Sequence, residues 1–182
     1  MDIPVPLVRA ELDAYLRDAR EPDSQGLPTR CPPWTVHDLT AHLAETFARF
    51  GRLLAQARVG DMTPPFRPAD LHHHNLQRVA AFQGDPAAAL EREATAFLDQ
   101  AADLEELTAH QFGPIPMRLQ LGFALSELAI HHDDLAHAHY RAYDPPPETV
   151  ALLATLWDGI GGLPIPEPGD TDWTRILRAT GR

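Results

Sequence analysis

The chain has 182 residues, 44% of them hydrophobic and 23% charged, enough for one soluble domain with a hydrophobic core. All 15 basic residues are arginine, so Schiff-base chemistry, pyridoxal phosphate anchoring and a P-loop lysine are excluded. A formal net charge of -11 with no basic stripe argues against nucleic acid as a partner, and no apolar run reaches the roughly 18 residues of a membrane span.

The opening MDIPVPLVRAE is too acidic and too broken by proline for a signal peptide. The single cysteine, Cys31, makes neither an internal disulfide nor a CxxC motif. The expected compartment is the cytoplasm, with no membrane association. Eighteen prolines fall mainly in clusters, and because proline breaks helix interiors, each cluster reads as punctuation between helices.

Val8, Leu12, Tyr15, Leu16 and Ala19 form the apolar stripe of a first helix. Thr35 fits the N-cap of a second, with Asp38 completing a capping box. Leu39, Leu43, Phe47, Phe50 and Leu54 mark its buried face. A third helical stretch is expected from Ala69 to Phe82. A fourth opens at Gly84-Asp85-Pro86 and is expected to run to about Leu107, with Leu90, Ala94, Phe97, Leu98 and Ala101 inward.

A long helix is expected from near Pro116 to about Tyr140 through Leu121, Leu125, Leu128 and Leu135. Shorter ones follow over Glu148–Trp157 and Thr171–Ala179. Nothing alternates with period two for long enough to demand a strand. The expected class is all-α, an antiparallel helix bundle.

The histidines carry the chemistry. His131 follows Glu127 by four residues, so on a helix both project from one face. His42 flanks the apolar stripe of the second helix and is expected to point inward. Two ligands on one turn plus a third from a facing helix is how bundles build metal sites. The same Glu-His spacing also makes a common surface ion pair, so spacing alone leaves both readings open.

Two segments resemble a known family. Cys31-Pro32-Pro33-Trp34-Thr35-Val36-His37-Asp38-Leu39-Thr40-Ala41-His42-Leu43 and Glu127-Leu128-Ala129-Ile130-His131-His132-Asp133-Asp134-Leu135-Ala136 are similar to the two signature segments of the mycothiol-dependent maleylpyruvate isomerase family. That family belongs to the DinB-like superfamily of four-helix bundles. Asn75 and the ending Leu177-Arg178-Ala179-Thr180-Gly181-Arg182 resemble patterns of its actinobacterial members. The resemblance implies a DinB-like antiparallel four-helix bundle with short extra C-terminal helices.

It also implies a divalent metal on His42, Glu127 and His131, zinc first, with nickel or iron as alternatives. Asp134 falls where a carboxylate can hold a ligand histidine in place. Asp133 stands where the family has tryptophan. The two-domain isomerases carry a further C-terminal domain. The expectation here is a single domain over residues 1–182 without it, and therefore metal and thiol chemistry rather than maleylpyruvate itself.

The function this implies is activation of a low-molecular-weight thiol, mycothiol by resemblance, as a metal thiolate for transfer to, or isomerisation of, an electrophilic small molecule. Two alternatives remain: a hydrolase using metal-bound hydroxide, and a non-catalytic DinB-like ligand-binding or stress-response protein. No residue is singled out as a catalytic acid, base or nucleophile. Cys31 is expected to be a buried structural thiol and Trp34 to pin the entry of the second helix. The run His72-His73-His74 has no ligand spacing, with one of the three at the pocket mouth. Arg78, Arg118 and Arg141 are candidate anion ligands that no spacing separates. Trp157 with Leu152, Leu153 and Leu156 is either an exposed dimer patch or a cap on the bundle, leaving a monomer or a homodimer.

Overall fold

The computed structural model describes residues 3–182. Its helices are α1 (Val5–Ala19), α2 (Val36–Arg58), α3 (Leu71–Ala81), α4 (Pro86–Gln100), α5 (Met117–Ala138), α6 (Pro147–Gly159) and α7 (Asp172–Ala179). α1, α2, α4 and α5 form the bundle, with α2 against α4, α1 against α5, and further contacts between α1 and α4 and between α2 and α5. Arg9 pairs with Asp99 and Arg20 with Glu91, so α1 runs antiparallel to α4. The all-α class and the four-helix bundle with short extra C-terminal helices are as expected. No described helix is long and apolar enough to cross a membrane.

The helix starts follow their local chemistry. At α2 the Thr35 hydroxyl accepts from the Asp38 N–H, and the Asp38 carboxylate accepts from the Thr35 N–H. This reciprocal cap satisfies two of the donors that every helix start leaves free. Asp85 caps α4 by accepting from Ala87 and Ala88, with Pro86 in the first turn. The third stretch begins as a single 3₁₀ turn at Pro68–Asp70 before α3.

α4 ends at Gln100, short of the expected Leu107. Beyond it the backbone finds partners on a neighbouring segment instead. Met117 N–H donates to the Glu106 carbonyl and Arg118 N–H to that of Leu104. Leu107–Thr108 and Ile115–Pro116 form a two-residue antiparallel ladder that sequence periodicity does not reveal.

α5 is buried nearly all round, because α1, α2 and α6 each cover a face. Leu153 and Leu156 of α6 are buried, and the Trp157 indole N–H donates to Ser126 Oγ of α5 at 3.2 Å. The α6 residues weighed as a dimer patch therefore pack onto the bundle as a cap. In the core, Phe47 packs edge-on against Phe50 and Phe97, and Phe50 lies tilted against Phe97, with ring centroids 5.6–6.0 Å apart.

Candidate metal centre

His42 on α2 and Glu127 and His131 on α5 converge at one end of the bundle. His42 Nε2 lies 3.3 Å, and His131 Nε2 3.6 Å, from the same Glu127 oxygen. All three donor atoms lie within 4.8 Å of one another. The Trp34 ring stacks on His42 with centroids 4.9 Å apart, and the two imidazoles meet edge to face at 5.1 Å. The cluster opens into a cavity of about 330 Å³ lined also by Cys31, His72, Asn75 and Arg182. A second, more apolar cavity of about 370 Å³ shares Glu127, His131 and Arg182.

Behind His131 lies a second layer of polar contacts. His131 Nδ1 is 2.9 Å from Asp134 Oδ2, and Asp134 is fully buried. Asp134 also accepts from the Cys31 thiol at 3.1 Å and from the Arg182 guanidinium at 2.6 and 3.1 Å. Arg182 further contacts Cys31 Sγ at 3.0 Å, and Arg30 pairs with Asp133. With Nδ1 committed to Asp134, His131 presents Nε2 toward Glu127 and His42.

The charges of the cluster interlock. Burial pushes His42 below its ordinary pKa, against the pull of Glu127, and so favours the neutral imidazole a metal needs. Burial would lower His131 as well, but bonds to Asp134, Cys31 and Glu127 hold it well above the ordinary range. Burial would raise Glu127, yet the two histidines hold it well below. The Glu127 side chain is 36% exposed, to the cavities it lines. Asp134 is held far down by His131 and Arg182 against the effect of burial.

The residues present fit a divalent ion. Two neutral-capable nitrogens and a carboxylate are a donor set that zinc accepts. Four-coordinate zinc with bonds of about 2.0–2.1 Å separates its ligand atoms by roughly 3.3–3.5 Å. The two His–Glu separations, 3.3 and 3.6 Å, lie at and just above that spacing.

The structure brings His42, Glu127, His131 and Asp134 together, and beside them stand three neighbours whose part in the cluster the sequence did not signal. Cys31, expected to be buried, is half-buried and lines the cavity, since it lies in a loop that no helical periodicity orients. Trp34 does more than pin the helix entry, because its ring covers His42. Arg182 has no helical spacing to Asp134, 48 residues away, and nothing in the sequence signals the contact. His72 lines the cavity and His73 is exposed, while His74 packs on Phe66. Arg78, Arg118 and Arg141 are engaged by Glu45, Glu105 and Glu21.

A four-helix bundle with an open His/Glu/His cluster at one end defines the class. The chain belongs to the mycothiol maleylpyruvate isomerase N-terminal domain family, whose sequence model matches residues 5–136. It is similar to the crystal structure of the mycothiol-dependent maleylpyruvate isomerase, with a TM-score of 0.65 and 20% identity over 84% of this chain and 69% of that one. A histidine-to-alanine mutant of that isomerase superposes with the same TM-score at 18% identity and the same coverage. At such identities the likeness speaks to fold. No curated protein matches the chain in sequence.

Proposed function

We propose that His42, Glu127 and His131 hold one divalent ion, zinc first with nickel or iron as alternatives, and that the protein uses it to activate a small thiol. The thiol, mycothiol by family, would then add to an electrophilic small molecule in a transfer or isomerisation. The observation that carries this reading is the convergence of the three donor atoms on a cavity, with Asp134 fixing the tautomer of His131. Three protein ligands leave a coordination position open, as catalytic sites do. When bound, such an ion favours the deprotonated form of a coordinated thiol at neutral pH.

The chain's own residues do the rest. Asp134 keeps a proton on His131 Nδ1 and turns Nε2 toward the cluster, where a bound ion would displace the Nε2 proton. Trp34 holds the His42 ring against rotation by stacking on it. Arg182 neutralises Asp134 and brings a guanidinium edge to the cavity wall. The two cavities meeting at Glu127 and His131 leave room for small molecules beside the open coordination position.

His42→Ala and His131→Ala should each lose most bound divalent metal while keeping their helical content. In cobalt-substituted protein, a small thiol should produce a sulfur-to-metal charge-transfer band. Full metal retained by the double mutant would place the site elsewhere. A thiol-insensitive spectrum at full metal loading would remove the thiol chemistry and leave the hydrolase and binding-protein readings.

A further inference from the structure

Among the described residues, every arginine except Arg17, Arg49 and Arg52 has a carboxylate within ion-pair distance. Arg17 and Arg52 are exposed, where water solvates them. Arg49 is 9% exposed. Its hydrogen-bond partners are neutral, Asn75 Oδ1 at 3.1 Å and Thr46 Oγ1 at 3.4 Å. Its guanidinium carbon lies 5.6 Å from the Phe66 ring centroid.

A guanidinium has five N–H donors and cannot shed its charge. Neutral oxygens and an aromatic face compensate such a buried charge only in part, because desolvation is large and the nearest carboxylates, Glu127 and Glu45, act on it only from beyond ion-pair distance. What is missing at Arg49 is an anion in direct contact. Room for one exists, since a cavity of about 210 Å³ is lined by Arg49, Arg52, Gln56, Pro65, Phe66 and His74. Two arginines supply donors, and Pro65 and Phe66 supply apolar walls.

We propose that Arg49 and Arg52 form a binding site for a carboxylate carried on a small apolar body. A planar carboxylate matches the guanidinium fork in a bidentate pair, and the apolar walls select against bare inorganic oxyanions. Arg49 lies seven residues beyond His42 on α2, roughly 10 Å along the helix. A smaller cavity of about 80 Å³ is bordered by both Arg49 and Glu127. A ligand anchored at Arg49 can therefore extend toward the His42–Glu127–His131 cluster. That this ligand is the electrophile of the thiol reaction rests on the function proposed above; the carboxylate site itself does not.

The probe is benzoate, with benzamide as its neutral counterpart and phosphate as the inorganic oxyanion, read by thermal unfolding of the whole protein. Saturating benzoate should raise Tm by roughly 5 °C, phosphate by clearly less, and benzamide not at all. Arg49→Met should abolish the benzoate shift. Should that variant fail to fold, Arg52→Gln, a surface change, decides: it should weaken apparent benzoate affinity several-fold. His42→Ala should keep the full shift even if it loses metal, which separates this site from the fate of the metal reading. No benzoate shift, an equal shift with benzamide or phosphate, or an undiminished response in both arginine variants would overturn the proposal, as would an undiminished response in Arg52→Gln alone if Arg49→Met does not fold.

Discussion

His131 and His132 are neighbours on α5, and each meets two carboxylates. His131 faces α2 with Asp134 at 2.9 Å and Glu127 at 3.6 Å. His132 faces α1 with Glu11 at 2.7 Å and Asp18 at 3.2 Å. Adjacent helical positions diverge by about 100°, so the two rings serve different interfaces. Around His132 the space is filled: the Tyr143 ring lies 4.2 Å away and its hydroxyl donates to Glu11 at 2.6 Å, with Tyr15 edge-on at 5.8 Å. Around His131 one side is packed and the other lines both larger cavities. The number of acidic partners does not distinguish the proposed metal ligand from its neighbour. Free volume beside an uncommitted ring nitrogen does.

Three measurements bear on that contrast. The largest effect is expected from His132→Ala, which strips Glu11, 4% exposed, of its imidazole partner. Breaking a buried pair on one side costs about 3 kcal/mol or more, read as a large fall in Tm or in the denaturant midpoint. The metal content of the folded fraction should not change. If His132→Ala were as stable as the parent, or shed metal as His131→Ala is expected to, the two networks would not be separate.

A smaller, pH-dependent effect distinguishes the histidines of the open side in chelator-treated protein. The folded pKa of His131 lies well above its ordinary 6.5. Its contribution is therefore complete below pH 6.5 and is lost as pH rises through the folded value. His42 is shifted down, so its contribution is present above pH 6.5 and is lost as pH falls through its folded value. Chemical denaturation from pH 5 to 9 should show His131→Gln flattening the alkaline decline and His42→Gln the acid one. A parent protein with no alkaline decline would contradict the charge arrangement at His131.

The smallest effect lies away from both histidines. Gln120 on α5 is fully buried, and neither of its side-chain polar atoms has a partner among the described residues. Gln120→Met, similar in volume, should raise stability by about 1 kcal/mol, measured by urea denaturation. A loss instead would show that this amide is satisfied in solution.

The bundle was legible where short-range rules decide. The Thr35–Asp38 cap and the Asp85-Pro86 start lie within one turn, and the apolar stripes of α1, α2 and α4 repeat with the helical period. Glu127 and His131 could be paired by spacing alone, with His42 a plausible partner from its place on the stripe and the full set implied by family resemblance. The 104–118 segment was not legible, because its backbone partners are non-local and its ladder is two residues long. Cys31, Trp34 and Arg182 reach the cluster from loops and a chain end, where no period sets direction. Arg49 was hidden for a related reason: a buried arginine without a counter-ion looks in sequence like any polar residue on an amphipathic helix, and burial and partners exist only in three dimensions.

The tie from Arg182 to Cys31 spans 151 residues, and that to Asp134 spans 48. Contacts of such long sequence separation close large loops and form late in folding. The segment that delivers Arg182 is short: α7 has eight residues, and of these only Ile176 is buried. Elements with so few buried contacts open in sub-global fluctuations well below the global unfolding free energy. Each such opening withdraws the guanidinium from Asp134 and leaves that carboxylate with His131, the Cys31 thiol and the more distant Arg30 at 3.7 Å. Amide exchange along α7 thus reports how often the buried carboxylate behind His131 loses its closest cation, and the basicity of the His131 imidazole inherits the dynamics of the segment that carries Arg182.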